Sequence, residues 1–290
     1  MKKILILFII SVMFINVINI AKADSIEDNS QLNNNNSQFD LINYNRDIFD
    51  NHGKGVKIAI LDTRITHNDI DVKNTKSFLF KQENEVSTHG NSVAGVIANN
   101  NERHLGIANE SEIYSVEVLD KNVKGNIVSI TSGLEWAINN DIDIVNLSIS
   151  LPNTNSALDK IMKKAEENEM IIVTPVGNNE YVNALASYKN VVTVGSTNNK
   201  GILSEFSNPS KYIDITAPGE NIYTTSIGSE YHHISGTSLS TAFVTGAIAT
   251  LKSNSLDEKN TDIVKKLLKN TTNIKGKKEY GKGLLNMNFK

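Results

Sequence analysis

Apolar runs of strand length alternate with segments of helical periodicity along most of this chain, and that alternation constrains its fold more than any other feature. Val56–Leu61 is an apolar run, interrupted only by Lys57, and is closed by an acid, Asp62. Such a run reads as a strand buried on both faces, as in parallel sheets. Further strands are predicted over Glu112–Val118, Ile142–Ser148, Met170–Thr174 and Val191–Ser196. Helices are predicted over Gly90–Asn99, Ile127–Asn139, Ala157–Asn168, Ser238–Leu251 and Asp262–Leu268. In Ala157–Asn168 the apolar Leu158, Ile161 and Met162 share one side and charges fill the rest. Strands and helices in this order predict an α/β fold, a mostly parallel central sheet with helices on both faces.

The 290 residues suffice for one large α/β core or two small domains. A formal net charge of -3 gives no sign of a nucleic-acid partner. The chain has no cysteine, which excludes disulfides, thiolate catalysis and cysteine–zinc sites. Its beginning reads as an export signal. Lys2-Lys3 precedes an apolar stretch from Ile4 to Ile20, broken only by Ser11, Asn16 and Asn19, and Ala21-Lys22-Ala23 supplies a small-x-small cleavage site. Residues 1–23 are expected to be removed after Ala23, the alternative being a retained membrane anchor. No later segment is long and apolar enough to cross a membrane, so no stable span is expected once the signal has gone. Residues 24–37, rich in Asn, Ser, Gln and acids, read as a disordered linker or short propeptide.

Three segments carry chemistry. Ser235-Gly236-Thr237-Ser238-Leu239-Ser240-Thr241-Ala242 runs from a small polar turn into an apolar helix. A hydroxyl there sits beside unpaired backbone N–H groups at the positive end of the helix. Ser238 can cap that helix, or it can be a nucleophile if a base removes its proton. Asp62 ends a buried strand, where open α/β sheets bind ligands, although an acid there also caps loops. His89, in Thr88-His89-Gly90-Asn91-Ser92, precedes small residues and a helical apolar pattern. Alone it reads as structural; between an upstream strand-end Asp and a downstream Gly-Thr-Ser it reads as a base.

The order Asp62, His89, Ser238 with these flanks resembles the subtilisin-like serine proteases. Gly133-Leu134-Glu135-Trp136-Ala137-Ile138, Asp143-Ile144-Val145-Asn146-Leu147-Ser148 and Val173-Thr174-Pro175-Val176-Gly177-Asn178 resemble family segments in order. So do Phe206-Ser207-Asn208, Ala217-Pro218-Gly219 and Gly281-Lys282-Gly283-Leu284-Leu285-Asn286. The resemblance implies a three-layer subtilisin-like catalytic domain over residues 38–290 and a serine endopeptidase working through an acyl-enzyme. It gives Asp62 the role of orienting His89, His89 that of general base and acid, and Ser238 that of nucleophile. It also gives Asn178 a place in the oxyanion hole, although an asparagine after glycine is a common turn residue.

By the same resemblance a peptide or protein substrate binds as an added strand between Lys124-Gly125-Asn126 and Ser148-Ile149-Ser150. Asn183 aligns with the floor of the pocket for the residue before the cut bond. Ser150 stands where the family pattern has glycine, and Pro175 where it has a small residue, which favours restricted specificity. Arg64 replaces a glycine after Asp-Thr and puts a charge near the three residues, unless it is a solvated surface arginine. The chemistry requires no cofactor. A structural calcium at Asn99–His104 could draw oxygens from Asn101, Glu102 and Asp69, but the short loop and Arg103 favour a plain polar surface loop. His232 and His233 read as surface residues pointing apart on a strand. The chain is expected to be a secreted or cell-surface monomer. Gly-Thr-Ser-Leu at the serine is similar to the lantibiotic leader peptidases. A general extracellular protease and a non-catalytic binding protein on the same scaffold are the alternatives.

Overall fold

The computed structural model describes residues 37–81, 85–178, 181–274 and 278–289. The expected signal peptide and nearly all of the expected linker lie outside these residues; Ser37 opens a helical turn, Ser37–Asp40.

Among the described residues nine strands form one sheet. In chain order they are β1 (Lys57–Asp62), β2 (Val72–Ser77), β3 (Glu112–Glu117), β4 (Ile144–Asn146), β5 (Ile171–Pro175), β6 (Val191–Thr197), β7 (Ile215–Pro218) and, after a hairpin described below, β10 (Thr271–Thr272) and β11 (Leu284–Leu285). Their spatial order is β10-β11-β7-β6-β5-β4-β1-β3-β2. The pairings from β2 to β11 are parallel, and β10 closes antiparallel on β11. The antiparallel pair β8 (Ile222–Thr225) and β9 (Tyr231–Ile234) lies outside the sheet.

Each strand residue alternates between two cores, as the two-residue period of a strand requires. Ile58 and Ile60 of β1 join one apolar cluster with Val93, Ile97, Val244 and Ile248. Ala59 and Leu61 join the other with Leu134, Ile138, Leu158 and Met162. The first cluster lies under α1 (Thr88–Ala98), α4 (Thr237–Ser253) and α5 (Asn260–Lys269). The second lies under α2 (Ile127–Asn139) and α3 (Ser156–Glu167). The molecule is therefore a three-layer α/β sandwich with a mostly parallel sheet at its centre. α3 buries Leu158, Ile161, Met162 and Ala165, a stripe on one side. By contrast α4 is buried along nearly its whole length, and its residues read as apolar or small all round.

β1 is the first strand in sequence yet lies inside the sheet. The chain builds β2 and β3 on one side of it and then crosses to build β4–β7 on the other. The carboxyl end of β1 is thus the switch point, where open α/β sheets leave a crevice.

Candidate active site

Asp62 is the last residue of β1 and is 0% exposed. Its Oδ1 accepts a hydrogen bond from the Thr63 N–H at 2.6 Å, which ties the carboxylate to its own strand end. His89 is the second residue of α1. Ser87 caps that helix, its Oγ accepting from the His89 N–H at 3.3 Å. The next residue must be glycine: a Cβ on Gly90 would lie 2.2 Å from the Thr63 carbonyl oxygen. This close approach, with the Gly90 N–H donating to Thr63 Oγ1 at 2.9 Å, brings the start of α1 against the end of β1.

The imidazole consequently meets both carboxylate oxygens. His89 Nδ1 is 2.7 Å from Asp62 Oδ1 and 3.0 Å from Oδ2. A nitrogen facing a carboxylate carries the proton, so Nε2 is left as the acceptor. Nε2 lies 3.1 Å from Ser238 Oγ, whose hydroxyl can donate to it. Burial alone would push the His89 imidazole down. The charge of Asp62 and its hydrogen bond outweigh this and hold His89 above the ordinary histidine value.

α4 starts at Thr237, one residue earlier than the sequence predicts. Its N-cap is Gly236, with no side-chain cap hydrogen bond. Ser238 therefore does not cap the helix. It is the second helical residue, and its N–H is among the first four, which have no carbonyl partner within the helix. Asn178 faces the same helix start. Gly177, at φ 108, turns the chain sharply after β5 and sets Asn178 at the surface. Asn178 Oδ1 accepts from the Thr237 N–H at 3.1 Å and from Thr237 Oγ1 at 2.7 Å. A backbone N–H can meet only the oxygen end of an amide, so Nδ2 is the end left to point away from Thr237.

Arg64 is not a solvated surface residue. Its guanidinium pairs with Glu117 at 3.1 Å, and Glu117, at the end of β3, is only 4% exposed.

The two expected substrate edges are placed differently. Lys124, Gly125 and Asn126 are exposed. The Lys124 N–H and carbonyl close a tight loop on Asp120, and Gly125 makes a single bridge to Leu119. Asn126 has a structural task the sequence reading missed: its Oδ1 caps α2, accepting from Val128 N–H at 2.9 Å and Ser129 N–H at 3.0 Å. An asparagine just before an apolar helix was the available signal. Ser148 and Ile149 are buried, and Ser148 Oγ receives the Asn146 amide at 2.8 Å. Ser150 is half-buried, with Oγ 3.1 Å from where a Cβ on Gly177 would stand.

Asn183, which the resemblance sets at a pocket floor, is fully engaged in hydrogen bonds. It is 1% exposed. Its Nδ2 donates to the carbonyls of Ile149 (2.8 Å) and Pro175 (2.9 Å) and contacts Thr174 Oγ1 (3.0 Å). Its Oδ1 accepts from the Leu151 and Leu185 N–H groups. The side chain fills the gap between the 148–151 segment and the end of β5 and clamps them together, with no hydrogen-bonding capacity left over.

The loop 99–104 does not fit a calcium ion. Calcium takes six to eight oxygens. Here Asp69 Oδ2 receives the Tyr231 hydroxyl at 2.6 Å and the Asn101 amide at 3.2 Å. Asn101 thus turns hydrogens, not its oxygen, toward the carboxylate. Burial and then Asp69 push the Tyr231 hydroxyl well up, so it stays a donor. Among the described residues no three His, Cys, Asp or Glu side chains cluster as metal ligands. His232 is also reassigned: it lies against α1, with Nε2 2.8 Å from Ser92 Oγ, while His233 is exposed as expected.

Comparison with known proteins agrees with this geometry. The model of the subtilase family, peptidase S8, matches residues 53–286. Over 244 residues the chain is 37% identical to subtilisin BL of Lederbergia lenta, covering 81% of this chain and 90% of the relative. It is 36% identical to subtilisin Savinase of the same organism, with the same coverage. It is 34% identical over 249 residues to a thermostable alkaline protease of Halalkalibacterium halodurans, covering 83% of this chain and 68% of that one.

Proposed function

Since this chain belongs to the subtilase family and is a serine endopeptidase, we propose that Asp62, His89, Ser238 and Asn178 carry its chemistry and that it is a secreted processing enzyme of narrow specificity. The observation that carries the catalytic reading is the continuous contact from Asp62 through His89 to Ser238, at 2.7 and 3.1 Å.

In this reading Asp62 holds the His89 Nδ1–H and stabilises the imidazolium. Nε2 takes the Ser238 hydroxyl proton as Oγ bonds to the scissile carbonyl carbon, and the carbonyl π electrons move onto oxygen. Asn178 Nδ2 and the Ser238 N–H donate to that oxygen. Nε2–H then protonates the leaving amine, the C–N bond breaks, and an ester to Ser238 remains. Water, deprotonated by the same nitrogen, cleaves the ester and restores the hydroxyl.

Narrow specificity is supported by the crowding beside the nucleophile. Asn183 fills the gap between the cleft-wall segment and β5, Ser150 leans toward the Gly177–Asn178 turn, and Pro175 stiffens the strand end. In this reading a small side chain before the scissile bond is favoured over a large apolar one. The substrate is a peptide or protein lying as an added strand along Lys124–Asn126 and Ser148–Ser150. A dedicated task such as removing the leader from a lantibiotic precursor suits such a cleft. The chemistry needs no cofactor, and the Tyr231 and Asn101 contacts to Asp69 do the work of a calcium in loop 99–104. Export as a monomer after loss of residues 1–23 completes the reading; among the described residues no helix is long and apolar enough to cross a membrane.

Peptide-library profiling is the test. Cleavage after small residues in a few sequences is expected, with casein left largely intact. A bulky aromatic preference, or rapid and broad casein digestion, would favour a general extracellular protease instead.

A further inference from the structure

The segment just past β4 has one side of its backbone fully occupied. The Ile149 N–H donates to the Leu147 carbonyl at 2.8 Å, and the Ile149 carbonyl accepts from Asn183 Nδ2 at 2.8 Å. The Leu151 N–H donates to Asn183 Oδ1 at 3.0 Å, and the Leu151 carbonyl accepts from the Ala184 N–H at 2.8 Å. One side-chain amide thus brackets Ser150, donating to the residue before it and accepting from the residue after it. In a parallel sheet a residue of the neighbouring strand makes the same bracket with its own N–H and carbonyl. Here β4 has ended at Asn146 and β5 ends at Pro175, so a side chain continues the pairing beyond both. Asn183 Nδ2 also donates to the Pro175 carbonyl at 2.9 Å, which anchors the amide to β5. Thr174 stands behind it, its Oγ1 3.0 Å from the Leu147 carbonyl, 3.3 Å from that of Ile149 and 3.0 Å from Asn183 Nδ2.

Backbone groups of successive residues in an extended segment point to opposite sides. With Ile149 and Leu151 turned to Asn183, the N–H and carbonyl of Ser150 are turned away from it. Among the described residues the Ser150 N–H has no acceptor, and its carbonyl meets only the Tyr181 hydroxyl at 3.5 Å, the outer limit of a hydrogen bond.

We propose that Asn183, backed by Thr174, is a positioning residue for substrate: its amide stands in for a sheet neighbour on the inner side of 149–151 and so presents the Ser150 N–H and carbonyl to the peptide strand on the outer side. This rests on the reading of Ser148–Ser150 as a substrate edge. Asn183 and Thr174 are both buried and act through Ser150, not on the substrate. A preset edge rewards a peptide for extending along it, since main-chain hydrogen bonds supply the affinity of an added strand. The proposal therefore concerns what a substrate gains from its length.

The test is a series of alanine p-nitroanilides with one to four alanines before the cut bond. The side chain next to that bond stays the same throughout, so the width of its pocket does not enter. In the unsubstituted protein kcat/KM is expected to rise with length. In Asn183→Ala the longest member is expected to lose about tenfold, mainly through KM, and the shortest far less, which flattens the series. Thr174→Val, close to its parent in shape, should flatten it in the same direction by less. Circular dichroism reports folding; should Asn183→Ala fail to fold, Thr174→Val decides alone. A length dependence as steep in the folded variants as in the parent overturns the proposal. An equal loss at every length overturns it too, because that marks a merely structural role. An unsubstituted protein that cleaves all members alike is a separate result, and brings down the reading of Ser148–Ser150 as a substrate edge.

Discussion

At position 90 only glycine lets α1 approach Thr63 closely enough for His89 to reach Asp62. The chemistry of the site depends in this way on neighbours that take no part in it. Asn178 is aimed by Thr237, whose N–H and hydroxyl hold its oxygen. Asn178→Ala is expected to lower kcat about 100- to 1000-fold with the fold intact, a size set by the homologous subtilisin asparagine and not by this geometry. Steady-state kinetics beside a thermal melt would check it, and a loss of less than tenfold would remove Asn178 from the oxyanion hole. The Asp62 contact raises His89, which fixes two signs. His89 stabilises the folded state fully below its unfolded value of about 6.5, and that contribution fades as pH rises through the folded value. Activity runs the other way, because catalysis needs Nε2 unprotonated. kcat/KM is expected to fall in acid with a midpoint above about 6.5, and a rate–pH profile with a lower midpoint would contradict this. Asp62, His89 and Ser238 were legible in the sequence because each carries a distinctive flank. The saturation of Asn183 was not, since its partners Ile149, Thr174 and Pro175 come from two other segments.

Elements with a strong apolar pattern were legible nearly to the residue. The predicted helix Ile127–Asn139 is the observed α2, and the predicted strand Glu112–Val118 exceeds β3 by one residue. What the pattern missed is polar or short. β2, Val-Lys-Asn-Thr-Lys-Ser, is an exposed edge strand with no apolar alternation to read. β8 and β9 pair with each other outside the sheet, and their tyrosines, Tyr223 and Tyr231, meet His104 of loop 99–104. That loop is held by hydrogen bonds from Tyr231 to Asp69 and between Tyr231 and Asn99. A chelator is therefore expected to leave the melting temperature of the protein unchanged. Tyr231→Phe should cost about 1 to 2 kcal/mol, since the hydrogen bonds to the partly buried Asp69 carboxylate and to Asn99 are lost. Calorimetry with and without added calcium would check both, and a melting temperature that rises with calcium and falls with chelator would refute the substitution of side chains for a cation.

Across the whole molecule, Asp62, His89 and Ser238 are far apart in sequence and meet because the strand order reverses at β1. The alternation of strands and helices implied a parallel sheet with covered faces, but not which strand lies at the reversal. That choice depends on which side of β1 each later strand joins, a matter of long-range pairing that local periodicity does not record. Once β1 is flanked by β3 and β4, its carboxyl end opens toward the starts of α1 and α4, which bring His89 and Ser238. The most direct test of this convergence is to label the folded protein with a fluorophosphonate and map the modified peptide by mass spectrometry. A single adduct on Ser238, lost in His89→Ala, is expected. A folded protein that takes no label, or takes it on another serine, would contradict the account.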